Sequence, residues 1–338
     1  MCLGHIYGMI VHIHNKKRCL SCKKVMQRWG KTIQGKVRWY CPQCHKSNIK
    51  KRKDTTTRNY KVLFKRYILG SRSIFDISKE IRVSKKTINR HFEKFWKQLP
   101  TPRIITENIG LVLDATTIVK REVVVLIAYD PIKQIVVSWQ FVPRETYFAW
   151  SEFVKTLPRP QFVVSDAQKG LIRAVRETFP GIKHQRCLIH IIRRSNAWLT
   201  KNPQTKVGLE LRDIVRLLSQ IENLEHKETW IKMFNEWNNK NQDFLNEKKQ
   251  SPYSTRKWFV HRKIRGIRSM IINSSPYLFS FLDDPLIPKT SNYVEGGINS
   301  PIKDLIRKHR GLTGRKKMVL TAQYLLKRQV KIPTLNVY

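Results

Sequence analysis

The run FVVSDAQKGLIRAVRETFPGIKHQRCLIH, from Phe162 to His190, limits the fold more than any other part of the chain. Phe162-Val163-Val164 is too short for a helix and β-branched enough for a buried strand. It delivers Asp166 at its carboxyl end, where open α/β sheets place ligand-binding groups. Ala167 to Phe179 has a helical period, with Leu171, Ile172, Val175 and Phe179 on one side, and Pro180-Gly181 stops it. A short strand from His184 to Arg186 leads into a helix carrying Cys187 and His190 three apart on one face. Taken alone, this is a strand–helix–strand unit in which Asp166 could be an ordinary cap.

The residues before it give that acid a partner. Pro100-Thr101-Pro102 marks a boundary, and strands follow. Ile109 to Asp114 is an apolar strand ending in an acid. Glu122 to Tyr129 and Ile135 to Phe141 complete an antiparallel meander joined by short turns. Glu145 to Leu157 is a helix burying Trp150, Phe153, Val154 and Leu157. Three antiparallel strands, a helix, a parallel strand, a helix and a last strand make the ribonuclease-H-like order. In it the first and fourth strands are neighbours, so Asp114 and Asp166 sit side by side. Two such carboxylates repel unless a cation lies between them, and magnesium suits paired hard oxygen ligands.

Composition names the partner. The 338 residues hold 66 Lys and Arg against 24 Asp and Glu, a formal charge of +42. A compact enzyme gains nothing from such self-repulsion, whereas a polyanion tracked over a long surface requires it. A membrane surface is the weaker alternative, because no apolar run of spanning length and no amphipathic anchor occurs. Residues 1–16 are apolar and carry His5, His12 and His14. They lack the basic start and unbroken apolar stretch of a signal peptide and read as a poorly ordered leader.

Two modules precede the sheet. In residues 17–49, Cys19, Cys22, Cys41 and Cys44 form two CxxC pairs. Two such knuckles complete a tetrahedral Zn2+ site, and disulfides are the alternative. Val25-Met26 and Val37 to Tyr40 read as strands around a Gly35 turn, giving a zinc ribbon with four protein ligands and no open position. Residues 50–58 read as a basic linker. Over 59–99, a helix ending at Gly70, a second from Ser73 to Glu80, and a third capped by Ser84 describe a helix-turn-helix or a small helical bundle. In the former, Lys85, Lys86, Asn89 and Arg90 face double-stranded DNA, while Ile88, Phe92, Phe95 and Trp96 pack inward.

The α/β core then spans 106–201 and 287–330, interrupted by a helical insertion over 202–286. The insertion has helical pattern at Leu209 to Leu224, Thr229 to Asn238 and Thr255 to Asn273. Trp230, Trp237 and Trp258 read as its core aromatics, or one of them as a base-stacking platform. Arg262 and Arg265 belong to a basic helix suited to phosphates. Glu295 stands near the start of a helix with Ile298, Ile302, Leu305 and Ile306. It is either a first-turn acid favoured by the dipole or a third acid of the metal site. Arg307 and Arg310 form a basic flank beside it. Residues 331–338, with Pro333, read as a finished tail.

Three segments together resemble the mutator-type DDE transposases of prokaryotic insertion sequences. LVLDATT resembles the first-acid strand of that family. SDAQKGLIRAVRETFPGIKHQRCLIHIIR resembles the central motif. TSNYVEGGINSPIKDLIRKHRGLTG resembles the third-acid motif, and the CxxC ribbon resembles a zinc-binding variant. The resemblance covers about Thr106 to Lys317. It implies Asp114, Asp166 and Glu295 as a catalytic triad holding Mg2+ or Mn2+, with Cys187 and His190 supporting the site. It further implies transposition: cleavage of element ends and joining of the 3′ end to target DNA by phosphoryl transfer. His184, Lys169 and Arg310 are then candidates for phosphate positioning. A dimer or larger assembly on DNA, in the cytoplasm of a prokaryote beside the nucleoid, would follow. A catalytically silent DNA-binding regulator and a nuclease of the same fold are the competing functions. Ala167 departs from the Gly that many relatives carry after the second acid.

Overall fold

The computed structural model describes residues 17–329, apart from 34, 50–54, 71, 104, 108–109, 167 and 251. The leader, most of the linker, Ala167 and the tail therefore lie outside the described residues. The chain divides into two compact units, Met1–Leu63 and Phe64–Tyr338.

In the first unit, three short antiparallel strands lie in the order β1 (Gln27–Lys31), β2 (Val37–Tyr40), β3 (Ser47–Ile49). The first strand is displaced from the Val25-Met26 expected from sequence. Val25 makes only an isolated bridge to Arg18, and Met26 is buried with Cys19 and Cys41 instead of alternating in a sheet. The third strand was not foreseen, since Ser47-Asn48-Ile49 has no apolar alternation of its own and pairs only because β2 offers it an edge.

Helix α1 (Thr55–Leu69) runs across the division and begins inside the stretch expected to be a linker. In the second unit, α2 (Ile74–Ile81) opens on a capping box. The Ser73 hydroxyl accepts from the Asp76 amide, and the Asp76 carboxylate accepts from the Ser73 amide. Arg82, left-handed at φ +53°, turns the chain, and Ser84 caps α3 (Lys85–Trp96). Ile88, Phe92 and Trp96 are buried, and Phe64 of α1 meets the Phe92 and Trp96 rings edge-on at 5.2 and 4.8 Å. Lys85, Lys86, Asn89 and Arg90 are left on the outer face, all exposed.

A five-stranded sheet organises the rest. Strands β4 (Gly110–Val119), β5 (Val123–Asp130) and β6 (Ile135–Val142) form the meander. Helix α4 (Tyr147–Lys155) leads to β7 (Phe162–Ser165), and α5 (Lys169–Thr178) to β8 (Lys183–Arg186). The order across the sheet is β6-β5-β4-β7-β8, with β7 parallel to both β4 and β8. Gly110 pairs with Phe162, and a Cβ there would stand 2.1 Å from the Phe162 ring, so only glycine allows the two strands to close. Leu111, Leu113 and Val163 point to one face, under Trp150, Phe153 and Leu171 of α4 and α5. Val112 and Val164 point to the other. Period-two alternation therefore sends Asp114 and Asp166 toward that second face as well.

The second face is covered by α6 (Leu188–Leu199) and by later elements. These include α7 (Lys206–Leu217), α8 (Leu224–Lys240) and α9 (Gln242–Asn246), after which a two-stranded ribbon, β9 (Lys248–Gln250) with β10 (Lys257–Phe259), follows in the chain. Then come α10 (Arg262–Ser274), α11 (Asn292–Val294), α12 (Ser300–Lys308) and α13 (Gly314–Arg328). The helix expected from Thr255 to Asn273 is shorter than the pattern implied. Its first residues pair as β10, across a turn containing Pro252, and the helix starts only at Arg262. Trp258 accordingly lies half-buried on the ribbon and is no core residue. Trp230 and Trp237 are core, their indole N–H groups donating to the Ile214 and Val207 carbonyls.

Candidate functional site

Two clusters of metal-type ligands were expected, and they differ in kind. In the first, the Sγ atoms of Cys19, Cys22, Cys41 and Cys44 lie within 4.8 Å of one another. Cys19–Cys44 and Cys22–Cys41 are each 3.4 Å apart, and Cys22–Cys44 is 3.7 Å. Disulfide sulfurs sit at about 2.0 Å. Four thiolates around one zinc, at a Zn–S distance of about 2.3 Å, need separations near those observed. The two knuckles repeat one geometry. Cys19 and Cys41 donate their N–H to the Lys24 and Lys46 carbonyls, and Lys23 and His45 take positive φ. The backbone N–H groups of Cys22 and Ser21 hold the Cys19 thiol down to about 6, while its contact pushes Cys44 up to about 12. A single cation removes that conflict.

The second cluster is assembled from distant parts of the sequence. In the β4–β7 ladder, Leu113 pairs with Ser165, and Asp114 and Asp166 follow at the next step. Asp114 is 9% exposed, and burial, with Asp166 and Glu145 adding, raises its carboxyl to about 6. Its Oδ1 accepts from the Ala115 amide at 2.8 Å and its Oδ2 from the Asn299 side-chain amide at 2.7 Å. Asp166 Oδ1 accepts from the Gln168 amide at 3.0 Å, so the residue does terminate a turn, yet it also feels Asp114, Glu145 and His190 electrostatically.

Glu295 reaches the same place from the far side. It begins a π-helical turn, Glu295–Asn299, between α11 and α12. Such wide turns are frequent at functional sites, and this one directs both the acid and Asn299 inward. His190 Nε2 lies 3.0 Å from Glu295 Oε1, and Arg193 closes an ion pair on Oε2. Burial alone would lower the His190 imidazolium. The Cys187 sulfur and the Asp114 and Asp166 carboxylates outweigh it and raise it. Cys187, fully buried, receives the Ser291 amide at 3.2 Å, and the Leu188 amide donates to the Lys289 carbonyl at 3.1 Å. The segment leading to Glu295 is thus pinned to the start of α6.

His190 is therefore the hub to which all three acids are coupled. The acids do not converge as tightly as the cysteines: among the described residues, only the four cysteines bring three or more such ligand atoms within 4.8 Å. Glu295 is turned toward Arg193 and His190 instead of toward Asp114. Among the described residues, Cys187 and His190 likewise belong to no third metal-ligand set.

Other expected residues fall into two groups. Lys169, Arg262 and Arg310 are exposed, and Arg307 is exposed and paired with Asp304. His184 and Arg265 are engaged by the protein itself. His184 is buried, its Nε2 2.7 Å from the Ser165 hydroxyl, and burial lowers it to about 4. It cannot reach a phosphate. Arg265 donates to the Leu245 carbonyl and to Asn246 Oδ1, and its guanidinium lies 3.5 Å over the Phe259 ring. A run of cations in the sequence did not reveal that one of them was a strut. Sequence reasoning missed Glu145, Arg193 and Asn299. Arg193, one helical turn past His190, and Asn299, one turn past Glu295, were legible as same-face neighbours. Glu145, which accepts from the Trp150 indole at 3.0 Å, carried no signal.

No helix among the described residues is long and apolar enough to cross a membrane. Over 52 residues, 15% of this chain, the sequence is 39% identical to the transposase for insertion sequence element IS256 in transposon Tn4001 from Staphylococcus aureus. The protein of the same description from Enterococcus faecalis matches equally well. The matched stretch is 13% of the length of each of these relatives. A family model described as "Transposase, Mutator family" matches residues 55–251, more than half of the chain. The chain belongs to the Mutator family of transposases.

Proposed function

We propose that this chain is a DDE transposase that cleaves the phosphodiester at the ends of an insertion sequence and joins the freed 3′ end to target DNA. One observation carries the reading: Asp114, which lies within β4 and does not end it as the sequence led us to expect, and Asp166, one residue past the end of the parallel neighbour β7, follow the Leu113–Ser165 pair on one face of the sheet, and His190 couples both to Glu295. The strand order supports a ribonuclease-H-like core, with residues 202–286 as its helical insertion. The exposed polar face of α3 supports a helix-turn-helix that binds element ends in the major groove through Lys85, Lys86, Asn89 and Arg90. The four thiolates support a structural Zn2+ in the N-terminal ribbon.

The carboxylates fit a divalent-cation site. Burial, with Asp166 and Glu145 adding, raises the Asp114 carboxyl, and a hard cation would offset both the lost hydration and the repulsion. Asp114, Asp166 and Glu295 would hold Mg2+ or Mn2+, which supplies charge to the attacking and leaving oxygens of an in-line displacement. The protein's own groups do the rest. Asn299 fixes one oxygen of Asp114, and the Ala115 amide fixes the other. His190 and Arg193 hold Glu295 and neutralise it in the free protein. Lys169 and Arg310 are exposed cations for phosphates, and Cys187 anchors the segment that carries Glu295. Both element ends need processing together, so a dimer or larger assembly on DNA is expected, acting in the cytoplasm on nucleoid DNA.

The test is a strand-transfer assay with element-end duplex, target plasmid and Mg2+. Cleavage with joining, lost when Asp114, Asp166 or Glu295 becomes Ala, is the expected result. Cleavage without joining points to a nuclease, and binding alone to a regulator; either outcome overturns the reading.

A further inference from the structure

A groove of about 680 Å3 opens beside Asp166, between α5, the end of β8, α6 and α10. Gln168 and Lys169, the nearest described residues after Asp166, form part of its wall, so one end of the groove adjoins the carboxylate cluster. Cations from three separate elements line it: Lys169 and Arg176 from α5, Arg186 from β8 and Arg194 from α6. Among its described lining residues there is no carboxylate.

Two of these arginines are held in ways that a purely solvated surface does not require. Arg186 is 5% exposed. Its Nη1 donates to the Met270 carbonyl at 3.3 Å, and its buried Nε has no hydrogen-bond partner. Burial lowers the pKa of this guanidinium, and the Asp166 carboxylate favours its charge, so a fixed positive charge stands at the end of the groove that adjoins the acids. Arg194 lies 5.4 Å over the Trp198 ring, which also lines the groove and is only half-buried. The indole rests against Gly266 of α10, where a Cβ would come within 2.3 Å of the Trp198 ring. A glycine inside a helix is unfavourable, and at this position it gives the indole its seat.

We infer that this groove binds one unpaired DNA strand, with its phosphates on Arg176 and Arg194, over the buried charge of Arg186, and a base stacked on Trp198. A hollow of about 680 Å3 is the size of a pocket that encloses a small molecule, so it takes single nucleotides, and a duplex would lie across its mouth. Cations that follow a backbone, interleaved with an aromatic face, are how proteins hold single strands without reading sequence. The position at the mouth of the carboxylate cluster means that the bound strand is continuous with the one presented to Asp166. This inference rests on the reading of the chain as a DNA-cleaving transposase and names the form of DNA that its site receives.

The experiment measures binding in buffer without added divalent metal, by fluorescence anisotropy of a labelled pyrimidine strand of roughly 12 nucleotides and of the matching duplex. Arg176→Ala with Arg194→Ala should weaken the single strand at least about tenfold. It should also flatten the dependence of log K on log salt by about 1.4, two phosphates at about 0.7 each. Duplex affinity, carried by α3, should change far less. Trp198→Phe, which keeps a ring, should retain most single-strand affinity, and Trp198→Ala should lose it. Gly266→Ala should mimic Trp198→Ala by displacing the indole. Matched melting temperatures confirm folding, and the arginine pair alone decides if a Trp198 variant fails to fold. Unchanged single-strand affinity and slope in the arginine variant overturn the inference. Equal losses for strand and duplex overturn it too, because the groove would then be undifferentiated basic surface. The absence of catalytic metal separates this from the proposed function: joining can fail while the groove binds, and the groove can fail while joining survives.

Discussion

The thiolate cluster and the carboxylate cluster each bring like-charged groups together, at opposite ranges in the sequence. Each cysteine knuckle is closed by its own backbone within five residues, through the bonds Cys19 N–Lys24 O and Cys41 N–Lys46 O. Asp114 and its nearest side-chain partner Asn299 are 185 residues apart. The thiolates are within reach of one ion as they stand, whereas Glu295 is occupied by Arg193 and His190. A local site is fixed by short-range backbone geometry. A distant site is fixed by a sheet and a helix, and here its third acid, Glu295, is held in ion pairs with His190 and Arg193.

The sharpest way to break that contrast is to remove one ligand from each cluster. Cys41→Ser should abolish zinc binding, measured as metal per chain, and remove hydrogen-exchange protection across residues 27–49. Structural zinc in small modules contributes on the order of 10 kcal/mol of folding free energy. Residues 64–329 should melt unchanged, because their core contains none of the thiolates. A ribbon that keeps its protection without metal would contradict the distinction. At the other cluster, Asp166→Ala should leave the fold intact and lower strand transfer at least about a thousandfold, the loss of several kcal/mol of charge stabilisation. A large drop in melting temperature would show that this acid holds the sheet together instead of waiting for a cation.

How much could be read in advance follows the same division. The knuckles were legible because spacing alone determines them. Asp114 and Asp166 were legible as neighbours because strand order fixes register. Glu295 was legible as an acid near the start of a helix, but not the π-helical turn that aims it, since Glu-Gly-Gly-Ile-Asn has no pattern demanding one. Arg193 and Asn299 could be placed beside His190 and Glu295 by helical spacing, but only packing shows that they reach Glu295 and Asp114, and nothing in the sequence pointed to Glu145. His184 was misread as a phosphate ligand for the same reason. Its place on β8, a polar strand laid against β7 beside Ser165, buries it, and a sequence shows a titratable side chain without showing that water has been excluded from it.

That burial gives a pH-dependent test within the carboxylate region. The folded chain holds His184 at about 4, below its ordinary 6.5. A depressed imidazole pKa means that the unfolded chain takes up the proton first. The stability tied to neutral His184 is therefore complete above pH 6.5 and falls away as pH drops toward 4. The shift corresponds to about 3 kcal/mol. Urea melts from pH 7 to 4 should show His184→Gln losing less stability over this interval than the parent chain. Parallel curves would mean that the imidazole is hydrated and that this strand end is looser than the packing implies.

The smallest expected effect sharpens the comparison most, because it separates holding an acid from using it. Asn299 is 6% exposed and donates to Asp114 Oδ2 at 2.7 Å, so it stabilises the ionised carboxylate in a place where water does not. Asn299→Ala leaves that oxygen without its donor, at a cost of roughly 1–3 kcal/mol. Losing a donor to the charged form must raise the Asp114 pKa beyond its present value of about 6. The acid limb of the pH–rate profile for strand transfer should therefore move upward, and the loss of activity at pH 7 should be partly recovered at pH 8.5 to 9. Asn299→Asp should be worse at neutral pH, because two carboxyls at hydrogen-bond distance share one proton. If Asn299→Ala lowers activity by the same factor at every pH, the amide only packs, and Asp114 owes its ionisation to some other group.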